Sequence, residues 1–320
     1  MHRHTLLLIS LAALLMVCGL LSLLRWGPQD LSLRHDEHRH RFGAVYMTLN
    51  NPFYKIIDEE IRTCVENHGD VLLTRDPALS VERQTEAVRA LIDEGVEVLF
   101  LTPVDYQQMG PALEAARAAG VPVIAIDTEL ADTAPVAATI TSDNYQAGVA
   151  CARHLLAHRQ AARIVLLDHT ATRSGSDRIR GFRDTIAAHP GFEILGEEEC
   201  EGHLERAMPA MQHLLAQHPT LDTVMALNDP AALGALAALA TAGRTDVSVY
   251  GVDGVPESKE LILSGRMTAT AGQSPRSIGR AAAQTAYALL AGSSYEAHQV
   301  LPITLFTQEN LSAAQAKEWD

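Results

Sequence analysis

Polar residues recur where apolar runs end along this chain. Asn50 and Asn51 follow the run 43–49, Thr102 and Asp105 follow 97–101, and Asp127 closes 122–126. Asp168, Asn228, Asp229, Asp253 and Gln273 repeat the placement further along. A carboxylate in the turn after an apolar strand can accept two hydroxyl hydrogen bonds, so Asp127 and Asp253 have the chemistry of ligand anchors. Capping the next helix is the competing use of such residues, and it suits Asp143 and Asp229 better. Phe53 and Tyr54, directly after Asn51-Pro52, add aromatic rings beside hydrogen-bonding groups. That pairing fits a sugar, which has apolar C–H faces and a hydroxyl rim. Adjacent helical residues point in different directions, so either ring can belong to the core instead.

Reactive constellations are missing. There is no G-x-S-x-G elbow, no H-E-x-x-H and no G-x-x-x-x-G-K-[ST], and LNNPF stands where a dinucleotide loop would need glycines. Asp168-His169 with Ser174 or Ser176 has the residue types of a hydrolytic group, but nothing in the spacing orders them. The four cysteines, Cys18, Cys64, Cys151 and Cys200, form no C-x-x-C pair. Cys64 and Cys151 fall on predicted helices and read as small buried hydrophobes. His35, His38 and His40 lack a carboxylate or cysteine frame for a metal. Binding without catalysis, cofactor or metal is the expectation.

The elements that must carry these residues alternate regularly from Phe42 onward. Short β-branched runs at 43–49, 70–74, 97–101 and 122–126 are separated by amphipathic stretches at 53–68, 80–93 and 107–119. In 80–93, Val81, Thr85, Val88 and Leu91 share one face, while Glu82, Arg83, Glu86 and Arg89 take the wet side. Gly69, Gly95 and Gly120 close the three helices. A second set follows Ser142, with strands at 163–168, 192–195, 222–227, 247–251 and 267–270. Its helices fall at 144–158, 177–188, 204–217, 229–242, 256–264 and 275–291, and one extended piece at 300–306 ends the pattern. This alternation predicts parallel sheets covered by helices in two α/β lobes, with the strand-end loops of each facing a cleft.

Composition supports that size and narrows the partners. The chain has 320 residues, 47% hydrophobic and 20% charged, enough for two cores. Lys plus Arg number 25 against 39 Asp plus Glu, a formal net charge of −14 with no basic run, so no nucleic-acid partner is expected. Thr5 to Leu24 is a stretch of twenty residues without a charge, between Arg3 and Arg25. As a helix it would be roughly 30 Å long, a bilayer core's thickness. It reads as a retained anchor in the inner membrane, since RWGPQD follows it where a cleavage site would need small residues. The polar, histidine-rich stretch 25–41 reads as a juxtamembrane spacer.

These residues together make the chain resemble the type I periplasmic binding proteins for sugars, nearest in pattern to ribose-binding proteins. The resemblance runs from about Phe42 to Leu311. It rests on TLNNPFY at 48–54, LTPVD at 101–105, PVIAID at 122–127, TSDN at 141–144, ALNDPAALGAL at 226–236, YGVDG at 250–254 and AGQSPRSIG at 271–279. It implies two Rossmann-like lobes joined by three hinge crossings near 141–142, 272–273 and 302–304. The segment 1–41 would then be a membrane anchor or signal segment plus linker, 42–141 with 273–303 the N-lobe, 142–272 with 304–311 the C-lobe, and 312–320 a tail. It also implies a binding set of Asn51, Phe53, Tyr54, Thr102, Asp127, Asn228, Asp253 and Gln273.

Departures from the ribose pattern stand at Thr128 and Ser176, where arginines are expected, at Thr102, where an asparagine is, and at 201–203, where an aromatic is missing. Replacement donors among His169, Arg173, Arg178 and His203 are open alternatives. The resemblance further implies a periplasmic or extracytoplasmic location. The implied ligand is a small carbohydrate or polyol, and the partner is an ABC permease or a membrane sensor that reports occupancy.

Overall fold

The computed structural model describes residues 39–132 and 136–319. The apolar stretch 5–24, the spacer residues 25–38, and with them His35 and His38, lie outside the described residues. Among the described residues no helix is long and apolar enough to cross a membrane.

Two six-stranded sheets organise the chain. The first has the order β11-β5-β4-β3-β1-β2 and uses β1 (Arg41–Val45), β2 (Val71–Arg75), β3 (Val98–Leu101), β4 (Val123–Asp127), β5 (Val136–Ser142) and β11 (His298–Leu301). All of its pairings are parallel. The second has the order β12-β10-β9-β8-β6-β7 and uses β6 (Ala162–Asp168), β7 (Phe192–Glu199), β8 (Thr223–Ala226), β9 (Ser248–Asp253), β10 (Ala269–Gly272) and β12 (Thr304–Thr307). Only β12 runs antiparallel, against β10. The chain therefore passes between sheets after β5, after β10 and after β11.

Helices cover both faces, as parallel sheets require. In the N-lobe these are α1 (Pro52–Asn67), α2 (Val81–Asp93), α3 (Gly110–Ala119) and, from late in the chain, α9 (Pro275–Leu290). Ile278, Ala282 and Ala286 of α9 enter the same core as Phe42, Ile57 and Ile126. The C-lobe uses α4 (Asn144–His158), α5 (Arg173–Ile186), α6 (Leu204–Gln217), α7 (Asp229–Thr241) and α8 (Pro256–Leu263) around one continuous core. Val88 and Leu91 of α2 are fully buried and Thr85 nearly so, as their spacing predicts.

Besides β1, which closes at Val45 where the sequence predicts a strand to 49, and β7, which runs to Glu199 past the predicted 195, three elements differ from the sequence expectation. β5 lies in a stretch that showed no strand signal; its alanines and threonines carry little hydrophobic pattern, yet its last five residues are buried between neighbouring strands. α5 starts at Arg173 rather than near 177, because the Thr172 hydroxyl caps it by accepting from the Gly175 amide at 3.2 Å. The piece 300–306 is two strands, β11 and β12, one in each sheet.

Candidate functional site

Strand ends and helix starts from both lobes enclose one cavity holding about 440 Å³ of space free of protein atoms, part of it open to solvent. The N-lobe lines it with Met47, Thr48, Asn51, Phe53, Tyr54 and Asp127. From the C-lobe come His169, Thr172, Ser174, Arg178, Glu201, Gly202, His203, Leu227, Asn228 and Asp253. Six of the eight residues singled out from sequence thus line this one cavity. Thr102 does not line the cavity; it is buried, and its carbonyl accepts from Gln84 Nε2 at 2.8 Å. Gln273 stands one step back, donating from Nε2 to Asp253 Oδ1 at 2.8 Å.

The two carboxylates occupy equivalent places. Asp127 ends β4 with φ +71° and Asp253 ends β9 with φ +132°, both backbone conformations that side-chain-bearing residues rarely adopt. Such strain costs about 1–3 kcal/mol at each residue, and it turns the carboxylate out of the sheet into the cleft. Both side chains are buried, and burial pushes both carboxyl groups up from their ordinary value, Asp253 furthest. The Arg178 guanidinium opposes the rise at each. Tyr54 Oη donates to Asp127 Oδ2 at 3.1 Å. One oxygen of each carboxylate, Asp127 Oδ1 and Asp253 Oδ2, is buried with no hydrogen-bond partner among the described residues. Groups of this kind are costly to leave unpaired, so the cavity is built to receive donors.

Asn51 and Asn228 combine two jobs. Each caps a helix, Asn51 accepting from the Phe53 amide at 2.9 Å and Asn228 from the Ala231 amide at 2.9 Å, while both line the cavity. Asp143 caps α4 as expected, accepting from the Gln146 amide at 3.0 Å. Asp229 does not cap its own helix. Its carboxylate instead accepts from the amides of Gly254 and Val255 at 2.9 Å and from the Thr270 hydroxyl at 2.6 Å, fixing the turn that carries Asp253. Phe53 and Tyr54 are both core and wall: each packs in the N-lobe core and each faces the cavity.

Arg178 is the residue that spacing alone left open. It lies 4% exposed, donating from Nε to Asn144 Oδ1 at 2.8 Å and from Nη1 to the Leu227 carbonyl at 3.1 Å, with Asp253 Oδ1 3.4 Å from Nη1. Its position depends on a close crossing of α4 and α5. A Cβ on Gly148 would lie 1.8 Å from the Arg178 carbonyl oxygen, and one on Gly181 would lie 2.1 Å from that of Tyr145. Only paired glycines allow that approach, and the G-F pair at 181–182 was the available signal. Arg173 lies outside the cavity wall and pairs with Asp177 at 3.5 Å.

Thr128, in place of an arginine, accepts from the Ser174 amide at 3.0 Å and so ties the lobes across the cleft. A second tie runs from the Tyr106 amide to the Ala171 carbonyl at 3.1 Å. Asp168, His169 and Ser174 form no hydrolytic relay: Asp168 accepts from the backbone amide of His169 at 2.7 Å. Cys151 and Cys200 are buried, and burial pushes both thiols up to about 12. Among the described residues no group of histidine, cysteine and acidic side chains could hold a metal ion.

Two α/β lobes around one polar pocket define the architecture of a small-molecule binding protein. Residues 42–294 match the periplasmic binding protein domain, and the chain belongs to that family of non-enzymatic substrate-binding proteins. It is similar to the ribose import binding protein of Escherichia coli, with 31% identity over 269 residues, 83% of this chain and 90% of that protein. The xylitol-binding protein of Mycolicibacterium smegmatis is 29% identical over 73% of this chain and 68% of its own length. Among solved structures, an ABC transporter solute-binding protein from Mycobacterium smegmatis with bound glycerol superposes with a TM-score of 0.81 at 31% identity. That match covers 85% of this chain and 95% of the other.

Proposed function

We propose that this chain binds a neutral sugar or polyol in the interlobe cavity and delivers it to an ABC importer. The observation that carries this is the pair of buried carboxylate oxygens, Asp127 Oδ1 and Asp253 Oδ2, left without donors in two residues that line the cavity from opposite lobes. Hydroxyl groups supply such donors, whereas an anion would meet two carboxylates and an arginine already engaged with Asn144, Leu227 and Asp253. Phe53 and Tyr54 offer aromatic surface to C–H faces. Asn51, Thr102, Asn228 and Gln273 complete the set, Thr102 and Gln273 acting from behind the wall. Closure follows from the ligand bonding to both lobes at once, which only the closed form permits.

What the relatives' names state points to the same class: ribose, xylitol and glycerol are all small, neutral and polyhydroxylated. The protein would work on the outer side of the cytoplasmic membrane, in the periplasm, held there by residues 5–24. That uncharged stretch favours a second reading, a tethered sensor that reports occupancy to a membrane receptor, since tethering raises local concentration near a fixed partner. A reporter fused after Leu24 tests the placement: exterior signal is expected, and cytosolic signal refutes it. Mass analysis of small molecules co-purifying with the chain, followed by calorimetry with D-ribose, xylitol and glycerol, tests the ligand class. Absence of any polyhydroxylated ligand in both, or undiminished binding in Asp127→Ala and Asp253→Ala, refutes the assignment. Uptake of the identified sugar that depends on this chain separates import from sensing.

A further inference from the structure

Beyond β12 the chain does not simply end on the lobe it has rejoined. Leu311 and Ala316 are buried in the C-lobe core, and a 3-10 turn at Gln315–Lys317 packs on α8. Ser312 holds that turn, donating from Oγ to Gln315 Oε1 at 2.7 Å while its carbonyl accepts from the Ala316 amide at 3.1 Å. Lys259 of α8, fully buried, donates from Nζ to the Glu318 carbonyl, and its ammonium sits 5.0 Å from the centre of the Phe306 ring. The next residue, Trp319, leaves this C-lobe footing and packs against the N-lobe core, its ring centroid 6.1 Å from that of Phe53 at an interplanar angle of 54°. Phe53 in turn lines the cavity.

We infer that Trp319 is a positioning residue for ligand capture: a latch, rooted in the C-lobe, that backs the Phe53 ring and holds the lobes closed. This goes beyond the proposed binding set, although it rests on the reading that the cleft opens and closes around a ligand. The hinge crossings are covalent and persist in any open form. The Trp319–Phe53 contact joins residues of different lobes and is made only when they approach, so it favours the closed state selectively. Tilted aromatic pairs contribute beyond the area they bury. Losing the pair shifts population toward the open form and shows mainly in ligand escape, because capture begins from open lobes.

The test uses the full chain and whichever of D-ribose, xylitol or glycerol binds. Trp319→Ala is expected to speed dissociation about tenfold, in line with that pair energy, and to leave association within about twofold. Trp319→Phe is expected to restore most of the loss. The chain has two tryptophans, Trp26 and Trp319. In Trp26→Phe the emission of Trp319 is expected to shift to the blue on addition of that sugar, as the ring is covered. Unchanged dissociation in Trp319→Ala, or emission that is the same with and without bound sugar, overturns the latch. If none of the three probes binds, the ligand assignment is in question separately, and small-angle scattering of the ligand-free chain decides the latch. The ligand-free chain then samples open and closed forms, so Trp319→Ala enlarges the mean radius of gyration by depleting the closed fraction, and an unchanged radius overturns the latch.

Discussion

The two lobes present the same group at the same topological point and support it differently. Asp127 in the N-lobe is met by a neutral phenol, Tyr54, from the helix that also supplies Phe53. Asp253 in the C-lobe is met by Gln273 at a crossing between sheets and by the buried Arg178, while Asp229 braces its turn. The N-lobe therefore offers aromatic surface and one lightly held acceptor, and the C-lobe a dense charged network tied to the crossing. Each job in the pocket is thus divided: one half supplies shape, the other polarity. Burial raises both carboxyl groups, and at Asp253 the like charges of Asp229 and Asp127 add to it.

Breaking that asymmetry should produce unequal effects. Asp253→Ala is expected to abolish sugar binding by at least about a hundredfold and to lower stability by about 2 kcal/mol, because Arg178 stays buried without its carboxylate. Asp127→Ala is expected to cost similar affinity with little loss of stability, as only the Tyr54 hydroxyl loses its acceptor. Calorimetry and denaturant titration of both variants would show it, and equal stability losses would remove the distinction.

Gly148→Ala attacks the C-lobe network from behind. A methyl group there meets the Arg178 backbone, so a destabilisation of about 2–3 kcal/mol is expected despite the better helix propensity of alanine. Weaker sugar binding should accompany it. Wild-type thermal midpoint and affinity would show that the crossing does not position Arg178.

Asp168 provides a pH signature confined to the C-lobe. Burial, with Glu197 and Glu199 close by, pushes its carboxyl up to about 6. A carboxyl raised on folding binds more protons in the native state between its unfolded value of about 4 and 6, so its contribution to stability falls as pH rises through that window. Asp168→Asn is expected to stabilise the protein by about 1–2 kcal/mol at pH 7.5 and by almost nothing below pH 4. Chemical denaturation at both pH values checks this, and a pH-independent difference contradicts it. The smallest effect belongs to the tie between lobes: Thr128→Val removes the acceptor of the Ser174 amide and should weaken sugar binding only about three- to tenfold, read by calorimetry.

Much of this architecture was readable locally. Helix faces such as Thr85, Val88 and Leu91, strand-end aspartates and the Asp143 cap all follow from spacings of a few residues. β5 escaped because small residues buried on both faces show no alternation. The 300–306 piece escaped because nothing local marks where one strand leaves a sheet and the next joins another. Local spacing suggests Asp229 as a cap for its own helix, whereas its partners, Gly254, Val255 and Thr270, lie 25 to 41 residues away.

Taken alone, the order of residues determined the alternation of strands and helices, the two-lobed class and the placement of Asp127 and Asp253 at strand ends, because each depends on backbone periodicity and near neighbours. Only the tertiary structure decided that both carboxylates face one cavity, that Arg178 points into it, that Thr128 bridges the lobes and that Trp319 lies on Phe53. Those depend on how closely helices can cross and where the chain changes sheet, and such distances are set by packing among residues far apart in sequence.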